Sequence, residues 1–142
     1  MYGEDQFIIL LAKLKDRAYE FIQAELKRLD IEGAPSHGAI LVALLHYKQL
    51  SLTELSKIID KKKSSTTELV DKLIKIGYVE KTIDVHDQRI KLVQLTKKSM
   101  GLKSKFAQFT KNLTNKTFQG VSEKEKQQTI LVMDKILKNF EG

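Results

Sequence analysis

From Lys61 to Glu68 the chain reads Lys-Lys-Lys-Ser-Ser-Thr-Thr-Glu. Three ammonium groups followed by four small hydroxyls suit contact with a polyanion. Lysines neutralise phosphates, and short hydroxyl side chains let a backbone approach phosphates and base edges. If the run opens a helix, the positive end of the helix dipole adds to the attraction. The other reading is a solvated, Lys-rich first turn on an ordinary surface helix. Further on, Asp84-Val85-His86-Asp87-Gln88-Arg89 forms a polar stretch that ends in the only arginine after Arg28, in a chain with 22 Lys and 3 Arg. A guanidinium enters a narrow minor groove more readily than an ammonium, because it is more weakly hydrated. Asp87, two residues earlier, can pair with Arg89 and hold the fork in place. The competing reading is an exposed salt bridge, worth about 0–1 kcal/mol.

Other polar residues carry two readings each. Ser36 and His37 open a helix after Pro35 and either touch a phosphate or cap that helix. Glu68 either accepts from a cytosine amino group or faces solvent. Tyr19, His46 and Tyr47 either line a ligand cavity or belong to the core. No arrangement for catalysis stands out: there is no G-x-S-x-G, phosphate-binding glycine loop, H-E-x-x-H or dinucleotide fingerprint. Asp84 and Asp87 sit on an exposed tip beside a base, a poor place to raise a carboxyl pKa. His37, His46 and His86 fall on three different elements and the chain has no Cys, so the expectation is no metal site, no cofactor and no thiol switch.

These groups need helices and a hairpin to position them. Phe7, Leu11, Leu14, Ala18 and Phe21 recur at alternating steps of four and three, which predicts one long amphipathic helix from about Gln6 to Leu29. Gly33 and Pro35 break it, and Pro35 suits the first turn of a buried helix that reaches Tyr47. Ser51-Leu52-Thr53-Glu54 is a capping box and opens a short helix to about Ile59, with Leu52, Leu55 and Ile58/Ile59 inward. The next helix begins with the lysine run and ends near Ile76, before Gly77, with Leu69, Val70, Leu73 and Ile74 as its buried stripe. Tyr78 to Ile83 and Ile90 to Leu95 read as two strands around the Asp84–Arg89 tip. Thr96 caps a helix with Met100, Leu102, Phe106, Phe109 and Leu113 inward, ending near Gly120. Ser122-Glu123-Lys124-Glu125, a second capping box, opens a last helix whose stripe is Ile130, Met133, Ile136/Leu137 and Phe140. Two helices around a tight polar turn, followed by a hairpin, make a winged helix-turn-helix.

Composition sets the frame. A chain of 142 residues with 42% hydrophobic content can bury one core, and a single Pro favours uninterrupted helices. The net charge of +7 is uneven. Residues 1–56 carry 6 basic and 8 acidic groups, residues 57–98 carry 11 and 6, and residues 99–142 carry 8 and 4. The middle segment is the polyanion-facing part. The apolar run from Phe7 to Ala12 is too short for a secretory signal, with Glu4 and Asp5 where such a signal is basic, and no stretch reaches the roughly 18 apolar residues of a membrane span. The expected localisation is cytoplasmic.

The sequence resembles the MarR family of transcription regulators over nearly its whole length. The resemblance rests on Leu52-Thr53-Glu54-Leu55, on Ser64-Ser65-Thr66-Thr67-Glu68-Leu69-Val70-Asp71-Lys72-Leu73, on Gly77-Tyr78-Val79-Glu80-Lys81, on Asp87-Gln88-Arg89 and on Leu95-Thr96. It departs from the family at Ser99, usually Gly, and in lacking the cysteine of peroxide-sensing members. The resemblance implies a mainly α (α+β) fold: a winged helix-turn-helix lobe over 35–97 and dimerisation helices over 1–30 and 98–142, in a single domain. It implies a homodimer on a pseudo-palindromic double-stranded DNA operator, acting as a repressor released by a small aromatic or anionic effector. The DNA-facing residues it implies are Ser36, His37, Thr53, Lys61, Lys62, Lys63, Ser64, Ser65, Thr66, Thr67, Glu68, Lys72, Asp87 and Arg89, with Tyr19, His46 and Tyr47 toward an effector. The alternative function is a winged-helix adaptor that binds proteins and shows no specific DNA binding.

Overall fold

A computed structural model describes residues 1–142. After a short 3-10 turn at Glu4–Gln6, α1 runs Phe7–Arg28 and α2 Pro35–Tyr47. Strand β1 (Gln49–Ser51) leads into α3 (Leu52–Ile59) and α4 (Lys63–Ile76). The hairpin β2 (Val79–Ile83) and β3 (Lys91–Leu95) follows. The chain ends in α5 (Lys97–Met100), α6 (Lys103–Thr117) and α7 (Glu123–Phe140). The strands form one antiparallel sheet in the order β1-β3-β2, with Leu50 and Lys81 both opposite Val93.

Local chemistry accounts for most boundaries. Ser51 Oγ accepts from the backbone N–H of Glu54 at 3.1 Å, and Glu54 accepts from the N–H of Ser51 at 2.9 Å, closing the capping box of α3. Ser122 and Glu125 repeat the pattern at α7. Gly77 ends α4 at φ 94, a left-handed conformation that costs a residue without Cβ little. Asp60 takes the same role after α3 at φ 54, giving the tight turn between the two motif helices.

One core holds the lobe. Leu26 of α1, Ile40, Leu41 and Leu44 of α2, Leu55 of α3, Leu73 of α4, Val93 of β3 and Phe106 of α6 are all buried in it. Each contributes about 1.5–3 kcal/mol by leaving water. Tyr78 packs edge-on against Phe106, with centroids 5.4 Å apart, and its hydroxyl accepts from the N–H of Glu32. The root of the wing is thereby fixed to the α1–α2 connection.

The structure departs from the sequence expectation in four places. Strand β1 was not expected, because it has three residues with one apolar among them and exists only through its pairing with β3. The helix after the wing is two helices: Thr96 caps the single turn of α5, and α6 starts afresh at Lys103. Ile58, Ile74 and Met100, read as inward, are exposed. Finally, α4 begins at Lys63, so Lys61 and Lys62 lie in the turn that precedes it.

Candidate nucleic-acid interface

Short, capped α3 packs across α4 and leaves the front of α4 facing out. Lys61, Lys62, Lys63, Ser64 and Glu68 are exposed, and Ser65 and Thr67 are half-buried. Thr66 does not share this face. It is fully buried, donates to the carbonyl of Lys62 at 3.0 Å and accepts from Ser56 Oγ at 3.0 Å, so its hydroxyl ties α4 to α3. Burial removes Thr66 from the outward-facing set. Thr67 Oγ1 donates to the carbonyl of Lys63 at 2.9 Å, and Lys72, two turns along, is exposed.

The hairpin tip is built by aspartates. Asp84 Oδ1 accepts from the N–H groups of His86 and Asp87, at 2.7 and 3.1 Å. Asp87 Oδ1 accepts from the N–H and the Nε of Arg89, both at 3.0 Å, while Oδ2 accepts from a terminal nitrogen at 3.0 Å. The expected Asp87–Arg89 pairing is present, and it is bidentate. Hydrogen bonds from Arg89, first through its side chain and then its backbone, lower the Asp87 pKa from the usual carboxylate value. Behind the tip, Lys81 of β2 reaches Asp71 of α4 at 3.5 Å, a contact between the hairpin and the helix beside it.

The helix front and the tip meet. A cleft of about 430 Å³ is lined by Ser51 and Thr53 at the head of α3, Lys63 at the start of α4, and Arg89 and Lys91 on the hairpin. Three elements thus present hydroxyls and three cationic groups to one concave surface. Ser51 and Lys91 are additions to the expected set. Nothing in the local pattern marks Lys91, which reads as a polar strand position until the hairpin returns it beside Lys63.

Ser36 and His37 stand elsewhere. Ser36 is half-buried, and His37 is buried with its Nδ1 accepting from the N–H of Ala34 at 2.9 Å. The capping reading of His37 is therefore the one realised. Desolvation first, and then the charge of Lys72, lower its pKa. Of the three aromatic residues expected at a ligand cavity, Tyr47 alone lines a large cleft of about 870 Å³, beside Lys48 and Met100. His46 stacks edge-on against Tyr47, and Tyr19 is exposed on α1. No three of His, Asp and Glu stand close enough together to hold a metal ion.

Residues 35–91 match the model of the MarR family, a span from the first residue of α2 to the first of β3. No curated protein matches the chain. Among solved structures, the chain is similar to a MarR family transcriptional regulator from Silicibacter pomeroyi DSS, at 22% identity, 92% coverage of this chain, 86% of that one and a TM-score of 0.79. It is similar to a cysteine-to-serine mutant of MarR from E. coli complexed with operator DNA, at 20% identity, coverage of 96% and 99%, and a TM-score of 0.72. A third similar structure is BpsR of Bordetella bronchiseptica, described with the regulation of its DNA binding by 6-hydroxynicotinic acid, at 22% identity, coverage of 89% and 98%, and a TM-score of 0.66. At these identities the likeness establishes a common fold.

Proposed function

We propose that this chain is a member of the MarR family, whose model residues 35–91 match and whose solved regulators share its fold, and that it is a homodimeric, sequence-specific double-stranded DNA-binding regulator of transcription. One observation carries the reading: Lys63 on the recognition helix and Arg89 on the wing line the same cleft, so the two expected DNA-contacting groups form one surface. Lys61, Lys62, Ser64 and Glu68 extend that surface along the exposed front of α4. The helix front enters a major groove, and Arg89, held by Asp87, reaches the flanking minor groove. Lys72 and Thr53, both exposed, add phosphate contacts at its margins.

The finer reading is a repressor that a small molecule releases. Its support is the family of the lobe and the similar fold of a protein whose DNA binding a small organic acid regulates. We read the chain as a binding protein with no catalytic role. With DNA as its proposed partner, we read the chain as cytoplasmic. No helix is long and apolar enough to cross a membrane.

Selection of bound duplexes from a random library tests the proposal. The expected product is a pseudo-palindrome with half-sites about 10 bp apart, centre to centre. Arg89→Ala should weaken binding to the selected duplex at least tenfold, or about 1.4 kcal/mol. Replacing Lys61, Lys62 and Lys63 by Gln should flatten the salt dependence by up to about 0.9 per lost phosphate contact. Weak, sequence-blind retention in the selection would instead favour a protein-binding adaptor.

A further inference from the structure

The outermost turn of the hairpin carries apolar side chains that the rest of the chain leaves uncovered. Val85 is 94% exposed, Ile83 62% and Ile90 40%. They stand among the exposed polar residues of the same tip, His86, Gln88 and Arg89. One exposed apolar residue is ordinary on a protein surface, but three β-branched ones between Ile83 and Ile90 make a patch. The tip is also rigid. The N–H of Asp84 donates to the carbonyl of Ile90, and the N–H of Ile90 to the carbonyl of Asp87, both at 3.0 Å. Asp84 Oδ1 accepts from the N–H groups of His86 and Asp87, and Asp87 Oδ1 from that of Arg89. Most backbone donors of the turn are thereby used within it, so recognition by the tip falls to its side chains. The backbone that carries Val85 is set before any partner arrives.

The surroundings of the patch select what covers it. The Arg89 side chain, held by both oxygens of Asp87, is 91% exposed. Ile90 lines the same cleft as Lys63 and Lys91, and neither lysine is in an ion pair. A protein surface would have to bring both an apolar face and several carboxylates to this tip. The minor groove of a duplex brings both features at once: its walls are deoxyribose C–H groups, and its potential is negative. Its floor differs with sequence. A·T pairs show only acceptors there, whereas G·C adds the guanine amino donor. An apolar side chain against that amino group leaves a buried donor without a partner, a cost that an A·T pair does not incur.

We propose that Val85 is a specificity-determining residue: it packs in the minor groove beside Arg89 and rejects the guanine amino group, so the wing selects A·T pairs at the flank of each half-site. Ile83 and Ile90 follow it against the sugar walls. This deepens the function proposed above and rests on it. The wing then contributes a part of the affinity that salt does not screen, alongside the charge of Arg89.

The test uses the intact chain and the duplex recovered by the selection, with the pairs flanking each half-site set as A·T, inosine·C or G·C. Inosine lacks the guanine amino group, so inosine·C matches A·T in the minor groove and G·C in the major groove. The wild type should bind the A·T and inosine·C duplexes within about twofold of each other, and the G·C duplex at least about fivefold more weakly. Val85→Ser should bind the A·T duplex about three- to tenfold more weakly than the wild type. Its salt dependence should be unchanged, because no charge is lost. It should no longer distinguish G·C from inosine·C, whereas Val85→Ile should. Val85 lies outside the core, so both variants should unfold in urea as the wild type does. A Val85→Ser protein with wild-type affinity, or one that still rejects G·C as the wild type does, overturns the proposal. So does a wild type that treats G·C and inosine·C alike. Each of these outcomes leaves the regulator reading standing. A selection that yields no duplex overturns that reading, and this one with it.

Discussion

Thr66 follows exposed lysines and Ser64 at the front of α4, yet its side chain faces inward and bridges two helices. Its role is therefore stability. Thr66→Val keeps the shape and removes the hydroxyl, leaving Ser56 Oγ without its partner on α4. The expected cost is about 1–2 kcal/mol in urea unfolding, with duplex affinity of the folded protein unchanged. A loss of affinity without a loss of stability would return Thr66 to the DNA-facing set. Asp87 invites the opposite experiment. It faces the solvent-exposed Arg89 fork with both oxygens, so its work is to hold the guanidinium in one direction. If so, Asp87→Ala should weaken duplex binding in the wild-type background and do nothing further in an Arg89→Ala background. Additive losses in that double-mutant cycle would show that Asp87 acts apart from Arg89.

At the scale of elements, the connection between α1 and α2 depends on a neutral histidine. His37 Nδ1 accepts from the N–H of Ala34, so the ring proton sits on Nε2, and a protonated ring has no lone pair to offer. Burial and then Lys72 hold its pKa below the ordinary histidine value of 6.5. An unfolded chain takes up that proton more readily than the folded one. The His37 contribution to stability is therefore complete above the ordinary histidine range and is lost as pH falls through that range and below it. Stability measured from pH 7.5 to pH 5 should fall more steeply for the wild type than for His37→Gln, and parallel curves would refute the assignment. The cap was one of two open readings from sequence, because a helix-opening histidine looks the same whether it faces a phosphate or its own backbone. Elements fixed within four residues were legible: the Ser51–Glu54 and Ser122–Glu125 boxes and the Gly77 stop depend on neighbours alone. Strand β1 was not, because its partner β3 lies more than forty residues away. The cationic front of α4 and the Arg89 tip were legible as polar groups in a motif. The lysines of the large cleft were not, since Lys48, Lys97 and Lys103 come together only through the packing of three separate elements.

The whole molecule carries more apolar surface than one chain covers. Helix α7 buries no residue at all, and Ile130 and Leu137 on its apolar stripe are each 56% exposed. The first half of α1 shows the same excess at Ile8, Ile9 and Leu14. Both helices lie outside residues 35–91, and neither lines the cleft of Lys63 and Arg89 proposed to face DNA, so the surplus is where a second copy can seal it. Apolar side chains left in water at this density cost about 1.5–3 kcal/mol each relative to burial, which is the driving force for association. The proposed dimer then follows from the terminal helices, and its two lobes gain from acting together. Once one half-site is bound, the second event is intramolecular, and the gain in affinity is about 10²–10⁴-fold. Ile130→Glu with Leu137→Glu places two charges on the α7 stripe without touching the core. Sedimentation should then report a single chain of 16.3 kDa in place of a species of about twice that mass. Affinity for a duplex with two half-sites should drop by about 10²–10⁴-fold, while affinity for one half-site stays the same. A variant that remains dimeric would move the interface off α7. A monomer that holds the full duplex as tightly as the wild type would mean that each lobe binds alone.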